Sequence, residues 1–158
     1  MMDRRTAVAS LVLSAAVAAL CAPAFAQEEK TLTPHQMKWM DAPPTLPKGA
    51  KVTVLMGDPF KPGPFVMRLQ APANYKIPPH WHSQAEQLTV ISGTLYLGLG
   101  EQMQAKGAHA LPAGSFHYLP AKEHHYAYSK GPAIVQINGD GPFDINYLNA
   151  ADDPQKKM

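Results

Sequence analysis

Between Lys51 and Leu148, short runs of apolar and β-branched residues alternate with polar breaks rich in glycine, proline and asparagine. Lys51 to Met56, Phe65 to Gln70, Gln87 to Ile91, Thr94 to Leu99, Ser115 to Leu119, His125 to Tyr128, Ala133 to Ile137 and Phe143 to Leu148 each read as a strand. Many short strands closed by turn residues are the pattern of an all-β barrel or sandwich. The 16 prolines agree, because proline is confined to strand starts, edges and turns. No helical periodicity of useful length occurs between Val52 and Tyr147. Ahead of the strands, Thr33 to Met40 predicts one short helix, with Thr33 as its cap and Pro34 in its first position, serving packing or a dimer contact. The polar end Asp152-Asp153-Pro154-Gln155-Lys156-Lys157 reads as a solvated tail.

The first 26 residues have the three parts of a secretory signal: Arg4-Arg5, an apolar stretch from Ala7 to Leu20, and Ala24-Phe25-Ala26 as a small-residue cleavage site before Gln27. The apolar stretch is short and alanine-rich for a membrane span. Arg4-Arg5 fits a twin-arginine export signal or an ordinary basic leader, and both lead to a periplasmic or secreted protein. Cleavage after Ala26 removes Cys21, the single cysteine, and leaves no membrane anchor, no disulfide and no thiol nucleophile. The expected layout is therefore a signal over 1–26, an arm over 27–50, one β domain over 51–148 and a tail over 149–158.

Loss of Asp3, Arg4 and Arg5 with the signal lowers the formal net charge from +2 to +1. With 16% charged residues and no basic stripe, the chain offers no footprint for nucleic acid. What remains after cleavage is enough for one core and too short for two ordinary domains.

Chemistry concentrates around His80-Trp81-His82, which follows Ile77-Pro78-Pro79. In extended chain, residues two apart share a face, so both imidazoles aim inward while Trp81 turns away. Glu86 opens the following strand and can fold back onto the same place before Ser92-Gly93-Thr94 turns the chain. An H-x-H pair alone is common on polar sheet faces. The wider spacing carries more.

That spacing resembles the two motifs of the cupin superfamily. In the first, G-x5-H-x-H-x3-E-x6-G, residues His80, His82, Glu86 and Gly93 fall at the required separations, with Asn74 in place of the leading glycine. In the second, G-x5-P-x-G-x2-H-x3-N, Gly114, Pro120 and His125 match, while Lys122 and Ser129 replace the second glycine and the asparagine. A register through Gly107, Pro112, Gly114 and His117 fits worse by one residue, which favours His125 as fourth ligand. The resemblance covers Val52 to Tyr147, and Ala133 to Asp153 resembles the end of small exported bacterial cupins. It implies a single-domain cupin β-barrel or jelly roll (double-stranded β-helix) binding one divalent metal ion through His80, His82, Glu86 and His125. Three imidazoles and a carboxylate suit Fe, Mn, Ni, Cu or Zn and leave positions open for a small molecule.

Beyond the ligands, His117, Tyr118 and Arg68 are the candidate catalytic residues, with Tyr75 a possible partner of Arg68 for an anionic group. Tyr126, Tyr128 and His124 alternate away from the metal and read as packing or surface. Their outward aromatic character, with that of Trp81, argues for a homodimer. Two functional readings follow from the resemblance. One is a metal-dependent enzyme of dioxygenase, decarboxylase, isomerase or lyase type acting on a small oxygenated or acidic molecule. The other is a non-catalytic cupin that holds a metal or small ligand.

Overall fold

The computed structural model describes residues 29–157, so the signal expected over 1–26 lies outside the described residues. Within the unit Leu32–Met158 the strands are β1 (Met40–Asp41), β2 (Lys51–Met56), β3 (Gly63–Ala71), β4 (Lys76–Trp81), β5 (Glu86–Ser92), β6 (Thr94–Leu99), β7 (His109–Pro112), β8 (Phe116–Leu119), β9 (His125–Ser129), β10 (Ala133–Gly141) and β11 (Asn146–Tyr147). They form two antiparallel sheets, in the orders β1-β2-β3-β10-β5-β8 and β11-β4-β9-β6-β7. This is the jelly roll that the strand pattern and its motifs predict.

Alternation builds the interior. Phe65, Met67 and Leu69 of β3, Val135 and Ile137 of β10, Leu88 and Val90 of β5 and Leu95 and Leu97 of β6 are buried at every second position. The neighbours of these residues turn outward, as the two-residue period of a strand requires.

The strand reading does not include β1, β4 or β7, and two further elements come out shorter than expected. In β4, Pro78 and Pro79 remove two ladder donors. It forms nevertheless, with its register against β9 shifting between Ile77 and His80, where the prolines lie. Phe143 to Leu148 contributes only the two residues of β11. The short helix expected over Thr33 to Met40 is a single 3₁₀ turn at Pro34–Gln36, in which Gln36 Oε1 accepts from the Thr33 N–H at 2.9 Å. Helix cannot continue because Met40 and Asp41 leave as β1 to pair with Val52 and Lys51. At the other end, Asn149 to Lys157 forms two short 3₁₀ turns, and Asp152, Asp153 and Pro154 are half-buried.

Outward-facing aromatics meet different fates. Tyr126 is buried, and its hydroxyl donates to the Gln104 carbonyl at 2.6 Å. Gly98, its partner across the β6–β9 ladder, leaves the space it needs, since a Cβ there would sit 2.2 Å from the ring. Tyr128 stacks on Tyr96 at 4.8 Å, with Lys130 Nζ 4.5 Å from the Tyr96 ring centre.

The two motif positions that lack glycine both adopt left-handed backbone, with φ of 59° at Asn74 and 65° at Lys122. The Lys122 N–H donates to the His82 carbonyl at 2.8 Å, so this turn is tied to the end of the H-x-H segment. Left-handed backbone costs a side-chain-bearing residue about 1–2 kcal/mol, and glycine loses about 0.5–1 kcal/mol more chain entropy on folding. Lys122→Gly should therefore stabilise the protein by about 0.5–1 kcal/mol. Denaturant unfolding measures it, and a loss of stability would show that the lysine side chain, rather than its backbone, matters at this turn.

Candidate metal centre

The two sheets bring four titratable side chains to one point in the interior. His80 of β4 lies directly opposite His125 of β9, and His82 follows immediately after β4. Glu86 reaches the same point from the other sheet, where it opens β5 between Leu119 of β8 and Gly139 of β10. All four are buried.

Their donor atoms converge. The His80 ring centre is 4.2 Å from that of His125 and 4.9 Å from that of His82, and the remaining pair is 5.2 Å apart. One ring nitrogen from each of the three histidines lies within 4.8 Å of the others. Glu86 Oε2 stands 3.6 Å from Nε2 of both His82 and His125. Donors bound at 2.0–2.2 Å to one ion are about 3.0–3.5 Å apart at tetrahedral or octahedral angles, and about 4.2 Å apart when opposite. The 3.6 Å spacings are of about that size, and the three histidines could hold such an ion, with Glu86 beside them but outside that group of three.

Main-chain oxygens fix how each ring is turned. The Nδ1–H of His80 donates to the Pro78 carbonyl at 2.7 Å, that of His125 to the Glu123 carbonyl at 2.9 Å, and that of His82 to the Asp144 carbonyl. A carbonyl oxygen only accepts, so in the neutral rings the proton sits on Nδ1 and Nε2 keeps its lone pair. Outer hydrogen bonds of this kind orient imidazole ligands and select their tautomer.

Burial favours the uncharged forms. It holds His80 well below the usual imidazole value, helped by His125 and His82. Burial also lowers His82 and His125, against opposing interactions with Asp144 and Glu86 respectively. Burial raises the carboxyl of Glu86, and the nearby His125 offsets only part of that. The imidazoles therefore need lose no proton to bind a cation.

His82 has further support. Its ring stacks on Phe143 at 4.3 Å and 19°. The carboxylate of Asp144 accepts from Ser83 N–H at 2.7 Å, Ser83 Oγ at 2.6 Å and Asn146 Nδ2 at 2.7 Å. Burial pushes the Asp144 carboxyl up, but these bonds outweigh it and leave it below its ordinary value.

A cavity of about 190 Å³ opens beside the cluster. His80, His82 and Glu86 form its polar end, while Val52 and Val54, Met67 and Leu69, Ile137 and Phe143 form much of the wall. The arm completes it, since Met40, Asp41, Pro43, Thr45 and Leu46 also line it. The arm is anchored by Tyr75, whose hydroxyl donates to the Pro47 carbonyl at 2.6 Å, and by Tyr147, which donates to the Thr45 carbonyl at 2.8 Å.

The structure brings His125, rather than His117, to His80 and His82. His117 pairs with inward-facing Leu88, so it faces the interior and is half-buried, but it does not line the cavity. Burial, then His109, lowers its pKa. Tyr118 points outward from β8 and is 54% exposed. Arg68 also faces outward, with Nε donating to Gln136 Oε1 at 3.1 Å and Nη1 contacting Met37 Sδ at 3.6 Å. Tyr75 is committed to the arm, and His124 meets Glu101 at 3.2 Å near the surface. Sequence reasoning missed Phe143, Asp144 and the cavity-lining arm. The apolar, proline-rich run Pro43-Pro44-Thr45-Leu46-Pro47 was the available sign of an extended, packed arm; nothing local marks Asp144.

Residues 66–137 match the family model of the cupin domain. No curated protein matches the chain. Among solved structures, it is similar to the polyketide cyclase RemF from Streptomyces resistomycificus, at 16% identity and a TM-score of 0.68, over 83% of this chain and 94% of that one. An RmlC-like cupin protein from Ralstonia eutropha JMP134 aligns at 24% identity and a TM-score of 0.59, over 80% and 76% of the two chains. KdgF from Halomonas sp. aligns at 16% identity and a TM-score of 0.56, over 72% and 94%. At such identities the likeness is one of fold. The family match makes residues 66–137 a cupin domain, and the two-sheet jelly roll agrees with it in fold.

Proposed function

We propose that this protein is an exported cupin that holds one divalent metal ion on His80, His82, Glu86 and His125 and acts as a metal-dependent enzyme on a small molecule in the adjoining cavity. The observation that supports it is the convergence of three imidazole Nε2 atoms, each freed by an Nδ1–H bond to main chain, beside a buried carboxylate. Among the described residues no lysine or arginine pairs with Glu86 to balance a negative charge, and a divalent cation would supply that balance. Such an ion offers Lewis acidity or a site for dioxygen activation. Around it, the main-chain carbonyls hold the rings, and the apolar wall excludes water from the ligand.

The second reading, a cupin that binds without turnover, draws support from the cavity itself. Apart from the proposed ligands, its only polar lining residues among the described ones are Asp41 and Thr45. Turnover of a substrate panel by metal-reconstituted protein, with metal-free protein as control, separates the two.

Purified mature protein should carry about one divalent ion per chain. His82→Ala and His125→Ala should each remove most of it, whereas His117→Ala should keep it. Full occupancy in the first two variants would rule out the ligand set, and loss in the third alone would move the site to His117. Asp144→Ala removes the acceptor of Ser83 and Asn146 behind His82 and should weaken metal affinity about 10–100-fold, measured by competition with a chelator.

Metal-free protein should also be acid-sensitive. Unfolded imidazoles titrate near 6.5, and the folded ones lie below it, so in that window the unfolded chain binds more protons and stability falls as pH falls. Glu86, raised above 4.5, works in the opposite direction and offsets part of the loss. With three imidazoles against one carboxyl, the melting temperature should be lower at about pH 5.5 than at about pH 7.5, and His80→Asn should flatten the difference. Equal melting temperatures across that range in the unaltered protein would contradict buried neutral rings.

Export and assembly complete the proposal. The periplasmic form should begin at Gln27, which mass spectrometry reads directly; a lipid-bearing Cys21 would overturn it. A homodimer is favoured by the outer face of edge strand β8, where Phe116 and Tyr118 lie exposed. Light scattering should give twice the mature chain mass, and a concentration-independent monomer mass would contradict it.

A further inference from the structure

The cavity's composition narrows what can occupy it. We infer that the site takes a single-ring, largely apolar and uncharged molecule carrying one oxygen directed at the histidine cluster, such as a phenol or cyclic enol, rather than a sugar acid or a dicarboxylate. The inference rests on the metal reading for the role of that oxygen, and on the cavity alone for the rest.

Three observations carry it. First, size: a cavity of about 150 Å³ lined by Leu, Ile and Phe accepts benzene, and the cavity here, about 190 Å³, leaves room for one ring and a small substituent. Second, polarity: beyond the cluster, only Asp41 and Thr45 among the described residues interrupt an apolar lining, and no described lysine or arginine contributes. The ring hydroxyls of a sugar would lose water there without gaining partners, a loss that outweighs any packing gain. A second carboxylate would meet no cation and would have to pass Asp41 at the exposed arm. Third, the mouth: Met40 and Phe60 both line the cavity, yet are 55% and 65% exposed. Large apolar side chains at the rim of an apolar cavity suit a ligand that they can cover. Deeper in, Phe143 lies flat against His82 and tilts against Phe65 at 5.2 Å, so an aromatic surface stands next to the position the oxygen would take.

The test uses mature protein with its metal content measured, reconstituted with Co²⁺, and titrated with 4-methylphenol, galacturonate and succinate. Visible absorption reports the metal surroundings and ligand-observed NMR reports binding of the ring. 4-Methylphenol should perturb the spectrum saturably and bind at least tenfold more tightly than either acid. Phe60→Ser, at an exposed position, should weaken it about three- to tenfold with metal content unchanged, and Val54→Trp, which fills the cavity from β2, should abolish it. Equal or tighter binding of galacturonate or succinate overturns the inference while leaving the metal reading intact. If the protein takes up no metal, that reading fails, and the same NMR titration of metal-free protein decides the inference. Binding of 4-methylphenol that toluene displaces and Phe60→Ser weakens supports it, and no binding overturns it.

Discussion

The site depends on one register, that of β4 against β9, which sets His80 across from His125. Because side chains alternate along a strand, a slip of one residue would turn Trp81 inward and both histidines of the H-x-H segment outward. Pro78 and Pro79 interrupt the ladder where that slip would have to be resisted, since neither donates a main-chain hydrogen bond. Their carbonyls do the holding instead. Pro78 accepts from the ring of His80, and Pro79 accepts from the Leu148 N–H at 3.0 Å. The prolines thus use their free acceptors to aim the ring of His80 and to fasten the chain that follows β11. The same segment that weakens the strand orients the site.

How much of this could be read from the sequence follows from the range of the interactions involved. Strands such as β3, β5 and β6 announce themselves, because their alternation is local and their ends are marked by turn residues. The motif spacing likewise singles out His125 over His117, and the backbone at Asn74 and Lys122 keeps the left-handed form the motif's glycines would take. β4 was hidden by its own prolines. Asp144 was hidden for another reason: its partners, Ser83 and the ring of His82, lie more than sixty residues away. No pattern within a window can show a bond that exists only after β10 has crossed the molecule and returned the chain to the end of β4.

Alternation predicts which face a side chain takes and says nothing of what covers that face. Tyr126 points away from the histidines as read, yet it is buried, because the segment carrying Gln104 folds over it and Gly98 makes room. Thr53 is buried on β2 opposite outward-facing Arg68, on the side where Met37 lies against that arginine. Met40 to Leu46 turns the same arm around the edge of the sheet and into the cavity wall. The barrel is therefore a two-sheet core plus segments laid on it, and the outer segments decide both surface burial and the shape of the cavity.

A buried cluster of four titratable groups looks costly, but the groups reduce that cost themselves. Burial pushes the imidazoles toward their neutral form and raises the carboxyl of Glu86 toward protonation, so the cluster holds little net charge. Each ring still has a main-chain acceptor for its one N–H. A divalent cation on the three imidazoles would reverse the local preference, since its charge would favour the ionised form of Glu86 beside them. The main chain thus fixes the direction of every imidazole in the cluster.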